Sequence, residues 1–329
     1  MYYSVIIPVY NRPNEVDELL QSLTKQVYKS FEVIVVEDGS LIPCNEIVNK
    51  YSSLLDIHYF SKSNSGPGQT RNYGAERAKG DYLVILDSDV IVPPHYFEEI
   101  EKELTNSPAD AFGGPDRADD SFTNLQKAIN YSMTSFFTTG GIRGGKKKMD
   151  KFYPRSYNMG IKKSVYEALG GFSKMRFGED IDFSIRIFKA GYTCRLFPEA
   201  WVFHKRRTDL TKFFRQVFNS GIARINLYKK YPDSLKLVHL LPAIFTIGVA
   251  LLIIGSPITL FAPGLLLVYI ILLFIDSFIQ SHSFNIALLS IMTSFIQLTG
   301  YGCGFLNAWW KRCVLGKDEF SAFENNFYK

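Results

Sequence analysis

Two aspartates separated by one serine, Asp87 and Asp89, follow a five-residue apolar run at residues 82–86. Such a run is typical of a buried β-strand, so the two carboxylates are expected where the strand ends. Carboxylates this close repel each other unless a cation lies between or beside them. Oxygen ligands suit Mg²⁺ or Mn²⁺, which complete their coordination shell with water and substrate phosphates. The pair therefore predicts a divalent metal site that would take a nucleotide-diphosphate donor and offset charge on the leaving phosphate.

A second group of carboxylates lies in "FGEDIDFSIRI" (177–187), where Glu179 and Asp180 precede an amphipathic pattern. Acidic residues in the first turn of a helix often only offset the helix dipole. A helix that begins beside a crevice would instead present them to a substrate, and the residues alone leave both interpretations open. His204 ends the strand-like "LFPEAWVFH", and it is either a structural residue or a further metal ligand.

Strand and helix patterns alternate along residues 1–204, and they must position these polar residues. The strand patterns are "YSVIIPVY", "FEVIVVEDGS", "LDIHYF" and "YLVILD", and the helix patterns include "NEVDELLQSLTKQ" and "GPGQTRNYGAERAKG". Alternation of this kind predicts an α/β fold with a mostly parallel sheet, whose ligands bind beyond the carboxyl ends of the strands. The polar strand ends at 8–11, 37–40 and 87–89 should therefore converge on one crevice.

Four segments in this order resemble the family 2 glycosyltransferases of the GT-A fold: "VIIPVYNR", "VVEDGS", "GPGQTRNYGAERAKGDYLVILDSD" and "GGFSKMRFGEDIDFSIRIFKAGY". The resemblance spans about residues 4–204. It implies a Rossmann-like GT-A catalytic domain over residues 1–204. It also implies an inverting single displacement from a nucleotide sugar, with a UDP-sugar favoured and Mn²⁺ or Mg²⁺ as the cofactor.

The resemblance further implies three groups of site residues. Asp180 is the general base that takes the proton of the acceptor hydroxyl, with Glu179 as its neighbour. Metal ligation falls to Asp89, Asp87 and His204. Pro8, Tyr10 and Asp38 line the nucleobase pocket. Arg71 reaches the nucleoside or diphosphate, and Asp87 lies near the ribose. Asn158 contacts the sugar or the acceptor.

Residues 237–310 predict membrane helices, because 237–275 contains no Asp, Glu, Lys or Arg and 277–310 contains none either. One helix over 237–275 would be roughly twice as long as a bilayer core is thick, so the breakers in "GSPITLFAPG" (255–264) predict a hairpin. With a third span near 284–306, we expect two to three transmembrane helices and a tail at 311–329. Lys229, Lys230 and Lys236 precede the first span, which predicts a cytoplasmic catalytic domain on a bacterial-type inner membrane.

Two basic stretches point to an anionic acceptor near the membrane. Residues 205–236 carry nine Lys and Arg against Asp209 and Asp233, with apolar residues at helical spacing. This favours a helix in the headgroup layer over one packed on the catalytic domain. The loop at 140–151 is either a lid over the site or a plain solvated loop. Neither stretch belongs to a recognised nucleic-acid-binding module, so no nucleic acid partner is expected. Acceptor contacts are predicted at Gln216, Arg224, Arg206 and Arg207.

The sequence also bears on whether the enzyme adds one sugar or builds a polymer. Processive members of the family carry a QxxRW motif, whereas here Gln216 is followed by Val-Phe-Asn-Ser. We therefore expect one sugar to be added to a lipid-linked or glycolipid acceptor, with a processive polysaccharide synthase as the alternative. A scaffold that binds nucleotide sugar without turnover is the non-enzyme alternative. The intact Asp87/Asp89 and Glu179/Asp180 pairs argue against it.

Overall fold

The computed structural model describes residues 1–117, 122–139, 152–175, 177–255 and 261–318. These residues form two compact units, one of residues 1–117 and 152–205 and one of residues 122–139 and 206–318. The predicted loop at 140–151, the middle of the predicted hairpin turn at 255–264 and the end of the tail lie outside the described residues.

The described residues contain ten strands and twelve α-helices. The chain begins with β1 (Tyr3–Val9), α1 (Pro13–Thr24), β2 (Phe31–Asp38), α2 (Asn45–Lys50), β3 (Ile57–Lys62), α3 (Pro67–Ala75), β4 (Tyr82–Leu86), β5 (Val90–Ile91), α4 (Tyr96–Asn106), β6 (Ala111–Gly113) and β7 (Asp116–Arg117). It continues with α5 (Asn124–Thr134), α6 (Phe136–Thr139), β8 (Asn158–Lys162), α7 (Lys163–Ala168), α8 (Glu179–Lys189), β9 (Cys194–Leu196) and β10 (Val202–His204). The last helices are α9 (Leu210–Lys230), α10 (Leu241–Gly255), α11 (Phe261–Ser281) and α12 (Phe284–Trp309).

The first unit is built on a seven-stranded sheet in the order β3-β2-β1-β4-β8-β6-β9. Strand β1 runs parallel to β2 and β4, β2 runs parallel to β3, and only β8 is antiparallel to its neighbours. Alternate residues of β1 enter opposite cores, since Val5 packs on one face and Ile6 on the other. This double burial explains why the central strands read as continuous apolar runs. The predicted α/β fold with a mostly parallel sheet is confirmed.

The first unit also contains a second sheet of three strands, in the order β5-β10-β7. Strand β5 begins directly after Asp89, and its residue Val90 is paired with His204 of β10 in antiparallel register. The pairing of the short strands β5 and β10 thus brings together residues that are more than one hundred positions apart in the chain.

In the second unit, α9 and α12 pack against each other at unusually short range. A Cβ at Gly304 would lie 2.0 Å from the carbonyl oxygen of Phe218, and one at Gly221 would lie 2.2 Å from that of Tyr301. The apolar stripe of α9 is buried, with Phe213 and Ile225 both 0% exposed. Most of the apolar residues on which the headgroup-layer prediction rests are therefore packed against other parts of the protein. The placement of α9 in the headgroup layer stays a prediction.

Helix α5 belongs to this second unit, although the sequence predicted one continuous catalytic domain to residue 204. Thr293 of α12 donates a hydrogen bond to the carbonyl oxygen of Ala128 at 3.0 Å. Ile129 and Met133 form an apolar cluster with Phe213 of α9. Amphipathic spacing shows that a helix has a buried face but not which element covers it, which is why the sequence missed this partner.

Two helical segments, Pro263–Ser281 and Phe284–Val314, are long and apolar enough to cross a membrane, judged by length and composition alone. The apolar helix α10 has 15 residues and is shorter. Of an 18-residue apolar stretch in each segment, 11% is buried in the first and 44% in the second.

Candidate active site

Asp87, Asp89 and His204 come together at the carboxyl edge of β4. Their ligand atoms all lie within 4.8 Å of one another. The β5–β10 pairing brings His204 here, and the backbone N–H of Lys205 fixes the register by donating to the carbonyl oxygen of Asp89 at 3.0 Å. The structure thus assembles the three residues that the sequence assigned to metal binding.

The His204 ring is held in place against this pair of carboxylates. Its Nε2 lies 3.3 Å from Asp89 Oδ1, and its ring stacks on Tyr157 with centroids 4.8 Å apart. The buried Nδ1 of His204 has no hydrogen-bond partner among the residues that the structure describes. Two carboxylates and one imidazole form a donor set that fits Mn²⁺ well and Mg²⁺ less well, because Mg²⁺ favours oxygen alone.

Arg12 is a second neighbour of Asp89 that the sequence did not reveal. Its guanidinium forms an ion pair with Asp89 Oδ2. Burial opposes the charge of Arg12, but Asp89, together with Glu15 and Asp87, outweighs it and raises the pKa of Arg12. Arg12 lies inside the "VIIPVYNR" segment, three positions after the end of β1, and this position was the available indication that it lies near the site. A positive charge therefore already balances Asp89 within the chain itself.

Arg71 connects the carboxylates after β4 with those of α8. It is 3% exposed. It donates from Nη2 to Asp87 Oδ1 at 2.7 Å and from Nη1 to Glu179 Oε1 at 2.9 Å. Burial disfavours the guanidinium charge, but Asp87 and Glu179 together raise the pKa of Arg71. The two groups of acids predicted from separate motifs thus form one charge network.

Helix α8 begins with the pair Glu179 and Asp180, after Gly178 in the left-handed conformation at φ 86°. Burial, and then repulsion by Asp180, raise the pKa of Glu179 to about 7 against the attraction of Arg71. Asp180 accepts a hydrogen bond from Arg155 Nη1 at 3.1 Å through Oδ2, and its Oδ1 accepts from the N–H of Ile181 at 2.8 Å. Arg155 was not identified from the sequence, because residues 152–157 show no periodic pattern.

A family model described as "Glycosyl transferase family 2" matches residues 4–170, which is half of the chain. The chain belongs to glycosyl transferase family 2. The match runs from β1 to α7 and includes Arg12, Arg71, Asp87 and Asp89. The predicted family is confirmed.

Curated relatives of this family 2 chain match it over stretches of different length. An uncharacterized glycosyltransferase of Haemophilus influenzae is 29% identical over 194 residues, which are 56% of this chain and 62% of that protein. Glycosyltransferase GlyA of Streptococcus pneumoniae is 35% identical over 108 residues, which are 32% of this chain and 16% of that protein. An uncharacterized glycosyltransferase of Rickettsia felis is 41% identical over 101 residues, so that the chain spans 16% of its length.

Solved structures support the fold over nearly the whole chain. The mannosyltransferase PcManGT of Pyrobaculum calidifontis, solved with GDP-Man and Mn²⁺, aligns with a TM-score of 0.67. The alignment covers 94% of this chain and 87% of that chain at 18% identity. Residues 1–349 of S. aureus TarS, solved with UDP-GlcNAc, align with a TM-score of 0.52 over 97% and 93% of the two chains at 18% identity.

The carboxylate of Asp38 organises the loop between β3 and α3. The backbone N–H groups of Ser65 and Gly66 each donate to it at 2.9 Å, and Lys62 forms an ion pair with it. Asp38 thus anchors the start of the helix that carries Arg71, a role that the sequence did not suggest. Pro8 and Tyr10 lie half-buried at the end of β1. The nucleobase contacts predicted for Pro8, Tyr10 and Asp38 stay predictions.

Asn158 is held by hydrogen bonds inside the fold, and its predicted contact with sugar or acceptor stays a prediction. It is 1% exposed. Its amide donates to the carbonyl oxygen of Ala200 at 2.8 Å, and its Oδ1 accepts from the hydroxyl of Tyr96 at 2.6 Å. Both polar groups of the side chain are therefore used inside the fold, and Asn158 fixes the backbone near β10 rather than offering a free donor.

The four predicted acceptor contacts all lie in the second unit. Arg206 is 9% exposed and donates to Asn130 Oδ1 at 2.8 Å and 3.2 Å. It therefore ties α5 to the chain that follows β10, and its predicted acceptor contact stays a prediction. Gln216 and Arg224 are half-buried on α9, and Arg207 precedes that helix.

Replacing Arg71 with methionine should lower the free energy of unfolding by about 3 kcal/mol, since it leaves the buried Glu179 and the half-buried Asp87 without their shared cation. We expect a lower midpoint of thermal unfolding for the purified protein. Arg195→Met, which removes an exposed arginine of β9, is the matched control and should behave as the wild type. Equal midpoints for Arg71→Met and the wild type would show that the network contributes nothing to stability.

Proposed function

We propose that this family 2 protein is an inverting glycosyltransferase that moves one sugar from a nucleotide-diphosphate sugar to a lipid-linked or glycolipid acceptor. One observation carries the proposal. Asp87, Asp89 and His204 are assembled at the carboxyl edge of the sheet, and Arg71 connects them to the acids of α8. Ligands bind at this edge in open α/β sheets. A UDP-sugar is the favoured donor.

The residues that would hold Mn²⁺ or Mg²⁺ are Asp87, Asp89 and His204. When bound, such an ion supplies positive charge to the diphosphate leaving group. Arg12 contributes a fixed charge on the other oxygen of Asp89, so that this carboxylate is oriented before a donor arrives. PcManGT was solved with Mn²⁺ and GDP-Man, which agrees with the metal and the class of donor proposed here.

Asp180 is our candidate for the general base. Inversion requires a base that takes the proton of the acceptor hydroxyl on the face opposite the leaving group. Arg155 fixes the orientation of the Asp180 carboxylate by donating to one of its oxygens. Glu179 is the second candidate, because a carboxyl with a pKa of about 7 is well matched to proton transfer near neutral pH.

The raised pKa of Glu179 predicts a pH-dependent stability. Its usual pKa is 4.5 and its pKa in the folded protein is about 7, so between these values only the folded chain keeps the proton. Stability should therefore fall as pH rises from about 4.5 through 7. Glu179→Gln removes the titrating group and should flatten this dependence. Thermal unfolding measured at several pH values tests it, and an equally steep fall in the variant would contradict the assignment to Glu179.

The membrane assignment is also part of this proposal. Large apolar side chains of α11 are exposed, including Leu267, Val268 and Ile279, as expected of a helix that faces lipid. We propose that α11 and α12 anchor the catalytic domain to a membrane, with that domain in the cytoplasm. A lipid-linked acceptor would then be held in the same membrane as the enzyme.

Nucleotide release by the detergent-purified protein tests this function. A panel of UDP-, GDP- and dTDP-sugars is incubated with membrane lipid extract, with Mn²⁺ or with EDTA. We expect release from one donor that requires both lipid and metal. Tight nucleotide binding with no release from any donor would favour a non-catalytic scaffold, and a long polymer made from one donor would favour a processive synthase.

A further inference from the structure

A second group of metal-ligating side chains lies at the opposite end of the sheet. Glu32 is near the start of β2, and Asp56 and His58 lie at the start of β3. One ligand atom of each lies within 4.8 Å of the others. Glu32 precedes Asp38 by six positions on one strand, which separates the two ends by roughly 20 Å at about 3.3 Å per residue. This cluster is therefore independent of the proposed activity.

The distances within this group match the edges of a tetrahedral coordination shell. His58 Nε2 lies 3.2 Å from Asp56 Oδ1 and 3.5 Å from Glu32 Oε2. Bonds of about 2.1 Å from zinc to nitrogen and oxygen place two tetrahedral ligands about 3.4 Å apart. The two distances from His58 thus already have nearly the spacing that one shared ion requires, and the two carboxylate oxygens lie within 4.8 Å of each other.

Glu32 supplies the observation that points to a ligand. It is 0% exposed, and its Oε1 accepts hydrogen bonds from Ser4 Oγ and from the N–H of Lys79, each at 2.6 Å. Within the described parts of the chain, neither Glu32 Oε2 nor His58 Nε2 has a hydrogen-bond partner. Leaving a buried carboxylate oxygen unsatisfied is costly, and a cation between these atoms would remove the cost.

Asp56 is arranged in the same way as Glu32. Its Oδ2 accepts a hydrogen bond from the hydroxyl of Tyr2 at 3.0 Å, while Oδ1 faces His58. Each carboxylate is thus held through one oxygen and offers the other, as outer-shell partners commonly arrange for metal ligands. The side chains of Asp56 and His58 are 51% and 37% exposed, so an ion can enter and keep a water molecule.

We propose that Glu32, Asp56 and His58 form a binding site for Zn²⁺ whose fourth position is open to water. One imidazole and two carboxylates in tetrahedral spacing suit zinc, whereas Mg²⁺ prefers oxygen ligands in an octahedron. The ion would join β2 to the chain at the start of β3. Through the Glu32 contacts with Ser4 and Lys79, it would also stabilise β1 and the chain that leads to β4.

Zinc stoichiometry of the full chain in detergent tests the proposal. Protein stripped with EDTA and dialysed is titrated with ZnCl₂ against a fluorescent zinc indicator. We expect His58→Ala to bind one equivalent of Zn²⁺ fewer than the wild type, and Asp56→Asn to bind that equivalent more weakly. His95→Ala is the matched control, since His95 also pairs with a carboxylate, Glu98, on the surface of the same unit.

Two further results separate this site from the one at Asp89 and from a simple ion pair. Asp89→Asn should keep the equivalent that His58→Ala loses. Zn²⁺ should raise the midpoint of thermal unfolding of the wild type by several degrees more than that of His58→Ala, because only the wild type gains this ligand in the folded state. Equal stoichiometry in the wild type and His58→Ala would overturn the proposal and leave His58 as an ion-pair partner of the two carboxylates.

Discussion

Replacing Asp180 with asparagine should lower the rate of sugar transfer by roughly 10²- to 10⁴-fold, the usual contribution of a general base. Asparagine keeps the shape of the side chain and an oxygen for Arg155, which donates to Asp180 Oδ2 in the wild type. It cannot accept the proton of the acceptor hydroxyl. Donor affinity should stay within a few-fold of the wild type. Turnover and donor binding, measured separately on the same preparation, provide the comparison.

Glu179→Gln shows which of the two neighbouring acids is the base. If Asp180 is the base, Glu179→Gln retains turnover, with a change limited to the pH profile near 7. Glu76→Gln removes an exposed carboxylate at the end of α3, with a side chain 71% exposed, and controls for the loss of any acid. Full activity in Asp180→Asn together with an inactive Glu179→Gln would move the role of base to Glu179.

Replacing Asp89 with asparagine should abolish the response of activity to Mn²⁺ and lower turnover by about 10²-fold or more. A bound metal contributes several kcal/mol to charge stabilisation at a leaving phosphate. Asp89 is central to the candidate site, because His204 lies 3.3 Å from one of its oxygens and Arg12 pairs with the other. The measurements are turnover against Mn²⁺ concentration and Mn²⁺ affinity determined without substrate.

The Mn²⁺ affinity distinguishes a lost ligand from a damaged fold. Asp89→Asn should bind Mn²⁺ at least tenfold more weakly while it still unfolds in one thermal transition, with a midpoint lowered only by the loss of the ion pair with Arg12. Glu199→Gln, at an exposed acid near β10, should match the wild type in both measurements. Unchanged Mn²⁺ activation in Asp89→Asn would mean that the metal is held elsewhere or is not used.

The sequence predicted the central sheet and the two acidic motifs because both depend on local patterns. Apolar runs mark β1, β2 and β4, and polar residues mark the points where these strands end. Asp87 and Asp89 could be placed because they follow β4 directly. Glu179 and Asp180 could be placed at a helix start because the pattern of α8 begins there.

The network around these acids depends on contacts between distant parts of the chain, which periodicity does not encode. Arg71 reaches Glu179 across 108 positions. His204 meets Asp89 only because short strands pair in one register. Asn158 can be buried because it has hydrogen-bond partners in Tyr96 and Ala200. A polar residue in the sequence gives no indication of such distant partners.

The most direct test of the proposed transfer follows the sugar itself. Detergent-purified protein is incubated with a radiolabelled donor sugar, membrane lipid extract and Mn²⁺, and the label extracted into organic solvent is counted for the wild type and Asp180→Asn. We predict that the wild type adds one labelled sugar to each lipid. The variant should label lipid at no more than about one hundredth of the wild-type rate. Label that stays in the aqueous phase for every donor, or lipid labelling equal in both proteins, would contradict the proposed transfer.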